Sequence, residues 1–219
     1  AEGAVRVIRG RGFREEESAG RYLYGSRARA VDRLPRALRG QRKNVANTSP
    51  LLFQDRLFAL VEMSLPTELD GNLETLGEQD FSGALLGGMS AHPRRVDSLR
   101  TTFNFHVRYG REPRFELIAL PDHGPVRQLG GFVLPWAGLI HDFAVTEEHV
   151  CVLLCPAKVV VHRAMLRLGS FDTWFRFHPE LGARLLIAPL SDPSQVRTVP
   201  LAPFWTWHIA NAFQDGDGL

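Results

Sequence analysis

Nothing in this chain restricts its folding as sharply as the segment Thr102-Phe-Asn-Phe-His-Val-Arg-Tyr109. Phe103, Phe105, Val107 and Tyr109 fall on one side of an extended chain and Thr102, Asn104, His106 and Arg108 on the other. That period of two is expected of a half-buried β-strand, whereas a helix would scatter the same residues around its circumference. Similar short runs recur between turn residues. One at 57–62 follows Gln54-Asp55, and one at 115–120 lies between Gly110-Arg-Glu-Pro113 and Pro121-Asp-His-Gly124. Further strands are expected at 132–134, 144–146, 150–154, 174–177, 184–189 and 196–201. The one helix expected covers 14–23, where three early glutamates suit a helix N-terminus. The fold class is therefore all-β, a single domain over 1–219 with no convincing internal boundary. No fixed-period repeat such as a Trp-Asp dipeptide recurs, so sandwich, barrel and propeller stay open on the strand pattern alone.

A chain of 219 residues that is 44% hydrophobic and 23% charged has the means to bury one large core, which sets disorder aside. Its formal net charge of +2 marks neither a polyanion binder nor an acidic solvating protein. The charge is uneven: residues 1–50 hold 12 Arg and Lys against 5 Asp and Glu, and the rest hold 14 against 19. Without interleaved aromatic platforms, the basic end reads as a solvated arginine-rich loop rather than a nucleic-acid or lipid-headgroup surface. The longest apolar stretch, 132–140, is broken by Pro135 and Gly138 and is too short to cross a bilayer. The opening Ala-Glu-Gly has no apolar signal segment, and the missing initiator Met implies a start inside a longer reading frame. Cys151 and Cys155, four apart in Val150-Cys-Val-Leu-Leu-Cys155, lack the spacing of a CxxC redox pair. Two buried, reduced thiols are expected, in keeping with a cytoplasmic protein.

Three of the eight histidines keep unusual company. His92 lies in Ser90-Ala-His-Pro93, His141 opens His141-Asp-Phe-Ala-Val-Thr146 after an apolar run, and His208 sits in Phe204-Trp-Thr-Trp-His-Ile-Ala-Asn-Ala212. An imidazole among large aromatics has two ring nitrogens to satisfy where water is scarce. Binding a metal through one and donating a hydrogen bond from the other solves the problem. Taken singly, each also reads as an ordinary core or turn histidine, the commoner fate, and the separations match no compact zinc motif. Ligands so far apart would have to come from different strands that meet in space. Of the others, His106 is expected to face solvent on the polar side of its strand, His123 and His178 to sit in turns, and His149 and His162 beside charged residues. Trp136, Phe143, Trp205 and Trp207 are candidates to line an apolar tunnel, with core packing the commoner role for any one of them.

A series of short motifs runs through the chain in a fixed order: Asn47-Thr48, Leu60-Val-Glu62, Pro66, Leu69-Asp70, Glu74-Thr-Leu-Gly77, Asp80-Phe81, Ala91-His-Pro93, His141-Asp-Phe-Ala-Val-Thr146 and His208-x-x-Asn211-Ala212. The series resembles the carotenoid cleavage oxygenases, from about Arg21 to the end. That resemblance implies a seven-bladed β-propeller with iron(II) on its axis, held by four histidines from different blades. His92, His141 and His208 match the first three, and Glu62 matches a glutamate that accepts a hydrogen bond from a liganding imidazole. The implied reaction is dioxygenase cleavage of a carbon–carbon double bond with O2 to give two carbonyl products. The implied substrate is a carotenoid or apocarotenoid, with peripheral membrane contact as a route for its extraction. Stilbene-cleaving members carry a lysine immediately before the glutamate matching Glu62; here the residue is Val61, which points away from a stilbene.

A propeller blade takes about 40–45 residues, so this chain has room for roughly five at most. It therefore forms consecutive blades of a partial propeller and does not close the ring. The fourth histidine falls outside it, and the isolated chain is expected to be inactive. Two other readings stay open: a zinc hydrolase or hydratase using the three histidines and a bound water, and a non-catalytic β-module that binds an apolar ligand.

Overall fold

A computed structural model of the chain describes residues 3–166 and 171–215. Two short helices come first, α1 (Arg11–Ala19) and α2 (Ala30–Leu38). Helix α1 lies earlier than the expected 14–23, and it stops at Ala19 because Gly20 adopts a left-handed conformation, φ 62°, and its N–H bonds back to Glu16 and Glu17 carbonyls. Helix α2 goes unforeseen because Pro35 inside it reads as a helix breaker.

Three four-stranded antiparallel sheets follow. β1 (Ser49–Phe53), β2 (Arg56–Leu60), β3 (Thr67–Leu69) and β4 (Thr75–Glu78) pair in sequence order, as do β5 (Arg94–Val96), β6 (Thr101–Arg108), β7 (Arg114–Pro121) and β8 (Arg127–Val133). The third sheet contains β9 (Ala144–Val145) and β10 (His149–Leu154), then β13 (Ala183–Pro189) and β14 (Arg197–Leu201), again as successive neighbours. Between β10 and β13 lies an insertion with a two-stranded ribbon, β11 (Ala157–Val159) and β12 (Phe175–Phe177), and helix α3 (Val161–Leu166). The run Val159-Val-Val161 had no helical signature, its β-branched residues favouring a strand. The β1–β2 turn is a two-residue hairpin with Gln54 and Asp55 both at positive φ, 49° and 60°, the twist a tight β-hairpin requires.

These sheets are successive propeller blades, and their packing explains why some strands do not alternate in polarity. Strand β7 is buried on both faces: Phe115, Leu117 and Ala119 join Phe103, Phe105, Phe143, Val150 and Leu186 in the core shared with the third sheet. Ile118 and Leu120 join Phe53, Phe58, Leu60 and Met89 in the core shared with the first. A strand between two sheet neighbours reads as a near-continuous apolar run. Among the described residues there are three four-stranded blades, fewer than the roughly five the length allows, because residues 3–48 and the described part of the insertion add none. Cys151 and Cys155 are buried free thiols, and burial pushes Cys151 up to about 11. No helix among the described residues is long and apolar enough to cross a membrane.

Candidate metal centre

His92, His141 and His208 occupy equivalent places in the topology. His92 lies on the crossover from the first sheet to β5, His141 on the crossover from β8 to β9, and His208 on the segment leaving β14. Their spacing in sequence is irregular because the insertion lengthens the third blade. In space, one ligating nitrogen from each lies within 4.8 Å of the others. His92 Nε2 and His141 Nε2 are 2.9 Å apart, and the ring of His208 is centred 4.9 and 5.0 Å from theirs. Two imidazole nitrogens bound at right angles to one divalent ion, each at about 2.1 Å, would sit about 3 Å apart. The pair is therefore spaced as neighbouring ligands of one cation would be.

The protein braces each histidine differently. Pro93 follows His92 and favours an extended backbone there. The loop before it is tied to β6: Ser90 N donates to Asn104 Oδ1 at 2.9 Å, and Asn104 Nδ2 returns a bond to Ser90 O at 3.0 Å. His92 N donates to Ser90 Oγ at 3.1 Å, and Ser49 Oγ donates to the Ala91 carbonyl. Strand β2 ends at Leu60, so Glu62 lies in the turn beyond it rather than in the strand expected at 57–62. Its Oε1 lies 3.3 Å from His141 Nδ1 and 3.5 Å from His92 Nε2, off the line of a hydrogen bond. A neutral His141 using Nε2 as a ligand carries its proton on Nδ1, the atom that faces this carboxylate. The residues thus fit a divalent cation.

Asp142 is the residue the sequence did not single out. Its carboxylate is almost wholly buried and takes a two-pronged ion pair from Arg94. It also accepts from Ile209 N at 3.2 Å and lies 3.2 Å from His208 Nδ1. Arg94 in turn donates to the carbonyls of Ile209, 2.8 Å, and Phe143, 3.0 Å. One ion pair therefore joins the segments carrying all three histidines. Burial pushes the Asp142 carboxyl up, but Arg94 and the N–H groups of Ile209 and Phe143 outweigh it and hold the group below its ordinary range. Burial lowers the pKa of His92 and His141, only partly opposed by Glu62 and Asp142, which favours the neutral imidazoles a metal needs. Asp142 stood in the motif after His141, but nothing in sequence linked it to His208 or to Arg94.

The remaining histidines lie outside the cluster. His123 meets Arg100 at 3.3 Å, and His178 meets Glu180 at 2.8 Å. His106 is half-buried rather than fully solvent-facing as its strand position implied: it borders a cleft, and burial lowers its pKa. Trp136 and Phe143 are buried in the core. Trp205 and Trp207 are partly exposed, and Trp207 meets the His141 ring edge-on at 5.1 Å.

The family model described as retinal pigment epithelial membrane protein matches residues 1–219. The chain belongs to this family. Among curated members, the apocarotenoid-15,15′-oxygenase of Synechocystis is 29% identical over 96% of this chain and 45% of its own length. A probable carotenoid cleavage dioxygenase 4 of Arabidopsis thaliana is 32% identical over 87% of this chain and 34% of its own, and resveratrol cleavage oxygenase 1 of Aspergillus fumigatus is 29% identical over 97% and 43%. A solved structure of cobalt-substituted Synechocystis apocarotenoid oxygenase superposes with a TM-score of 0.80 at 26% identity, covering 95% of this chain and 46% of that one. The chain thus spans less than half the length of the family members it matches here. The expected fold class, a partial β-propeller, holds.

Proposed function

We propose that this chain supplies three of the iron ligands of a non-haem dioxygenase that cleaves a carbon–carbon double bond of a carotenoid or apocarotenoid. The observation that carries the reading is the convergence on one point of three imidazoles, two from crossovers and one from the segment after β14. His92, His141 and His208 would hold the iron(II), with the Glu62 carboxylate facing the His141 Nδ1–H. When bound, iron(II) would supply the redox chemistry that dioxygen needs to react with an alkene. In the overall reaction, RCH=CHR′ and O2 give RCHO and R′CHO, with no other co-reactant. The chain's own groups orient the ligands and balance charge. Three neutral imidazoles leave the charge of a divalent ion intact, and the carboxylates of Glu62 and Asp142 offset it from behind the rings. The cobalt-substituted relative and the oxygenase names among the family members support the reading. Resveratrol cleavage in one relative keeps a stilbene within the family's range, but Val61 offers no charged group to a phenol. Peripheral contact with a membrane would suit extraction of so apolar a substrate.

The test is metal analysis and O2-dependent cleavage by the protein at its full natural length, beside His141→Ala. Stoichiometric iron and formation of apocarotenal, both lost on substitution, are expected. Zinc without iron would move the reading to a three-histidine hydrolase or hydratase. No metal, with unchanged binding of a polyene by the variant, would leave a non-catalytic module.

A further inference from the structure

An apolar cavity of about 330 Å3 is walled by Leu139, Val159, Phe171, Trp174 and Phe175, and it reaches Met63, the neighbour of Glu62 in sequence. Its size falls in the range of small-molecule sites. Inward, Met63, Tyr109 and Leu139 also line a small void of about 30 Å3 whose wall includes Glu62 and Ile140, the neighbour of His141. Outward, Gly40, Arg42, Met63, Tyr109 and Val161 are shared with a wider cleft of about 680 Å3. The apolar cavity thus borders both the small void against Glu62 and the outer cleft, with Met63 and Tyr109 common to all three.

That outer cleft is cationic. Arg11, Arg42 and Arg108 line the outer cleft, with Glu78 the acidic residue on its wall. Arg108 is engaged by Glu116 at 3.1 Å, and Arg11 lies 3.9 Å from Glu15. Arg42 makes no ion pair or hydrogen bond among the described residues, and it is the arginine that also borders the apolar cavity. Tyr109, beside it, already donates its hydroxyl to the Gly138 carbonyl at 3.0 Å. Burial raises its pKa to about 12, so it stays a neutral donor and cannot serve as a counter-ion to Arg42.

We propose that Arg42 reads the polar end of the substrate, and that the favoured substrate is an apocarotenoid bearing a terminal carboxylate. Its apolar chain fills the cavity toward Glu62 while the carboxylate stays in the outer cleft against the guanidinium. A guanidinium suits this task because its planar fork matches a carboxylate with two parallel hydrogen bonds. A hydrocarbon carotenoid would leave it unused. This assignment rests on the oxygenase reading above and adds the substrate's end group.

The experiment uses the full-length, iron-loaded protein with an apocarotenal and the apocarotenoic acid of the same chain length. In Arg42→Gln, KM for the acid is expected to rise about two- to fivefold, the effect of one charged contact at an exposed site. The aldehyde's KM should rise less than the acid's, because its oxygen loses a hydrogen bond but no charge pair, and Arg42→Lys should recover part of the loss for the acid. Binding is measured separately through quenching of tryptophan fluorescence by each polyene, since Trp174 lines the cavity. An equal shift for acid and aldehyde, or no shift for either, overturns the role of Arg42. If wild type cleaves neither polyene, the oxygenase reading fails, and selective loss of acid binding in Arg42→Gln still decides the end-group assignment.

Discussion

His92 and His141 are held in one way and His208 in another. The first two are about one-fifth exposed and sit on crossovers pinned by buried contacts between neighbouring blades. His208 is 60% exposed and lies on a segment held by the Asp142 carboxylate and the Arg94 guanidinium, by Ile209 and Ala212 packed on Ala144, Cys151 and Ile187, and by Gln214 bonded to Thr146 and Glu148. A β-sheet core thus prepositions two ligands as a by-product of folding, while the third touches one buried ion pair directly, through Nδ1 and Asp142. The comparison predicts that damage to the ion pair should separate His208 from the other two.

The largest effect is expected from Asp142→Asn. Removing one partner of a buried ion pair costs about 3–5 kcal/mol, and the one-third exposure of Arg94 reduces this to about 2–3 kcal/mol. Metal affinity should fall about 10- to 100-fold, the usual cost of losing a partner behind a ligand. Denaturant unfolding and a cobalt titration measure the two losses, and adding His208→Ala to the variant should then cost little more. If His208→Ala weakens metal binding equally in both backgrounds, Asp142 does not hold that ligand. The pH dependence carries the same signature. The folded Asp142 pKa lies below its unfolded value of about 3.9, so its contribution is complete above that value and lost as pH falls through the folded one. Below about pH 4, wild type should therefore lose stability faster than Asp142→Asn.

Glu62→Gln should act on the other half of the comparison, and more weakly. The glutamine keeps the shape but removes the charge facing His141 Nδ1, so metal affinity is expected to drop about tenfold. Glu62 is 31% exposed and its Oε1 is not in hydrogen-bond geometry, so stability should change by less than about 1 kcal/mol. A loss of stability matching that of Asp142→Asn would erase the distinction between the two carboxylates.

How far these roles could be read in sequence follows from the range of the interactions. The strands at 101–108 and 114–121 were legible because alternation and turn residues are local, and His92, His141 and His208 stood out by their aromatic or apolar neighbours. Glu62 came through the order of family motifs, not through any local pattern. Arg94 and Asp142 stayed silent because their meaning lies in contacts across 48 and more residues. Asn104 was read as a polar, outward position, yet it is fully buried and binds both backbone groups of Ser90. Period two identifies the faces of a strand but not what covers each face, and in a propeller both can be covered. The same limit applies to His106, which is half-buried. Trp136 and Phe143 fill the core between blades, the commoner role expected of them, whereas the cavity walls come from the insertion, with Phe171, Trp174 and Phe175.

The smallest effect is expected at Trp207. Its ring meets His141 edge-on at 5.1 Å and Trp205 at 5.0 Å, geometries worth about 0.5–1.5 kcal/mol beyond area when well buried. At 45% exposure the contact should sit at the low end, so Trp207→Leu should weaken metal binding about twofold and leave unfolding nearly unchanged. This variant sharpens the comparison because Trp207 is the neighbour of His208 in sequence yet contacts His141 in space. If the His208 segment were held by aromatic packing, Trp207→Leu would cost as much metal affinity as Asp142→Asn, with a matching loss of stability. A twofold effect beside a 10- to 100-fold one would instead assign the positioning of the third histidine to the carboxylate, with the indole as a minor brace.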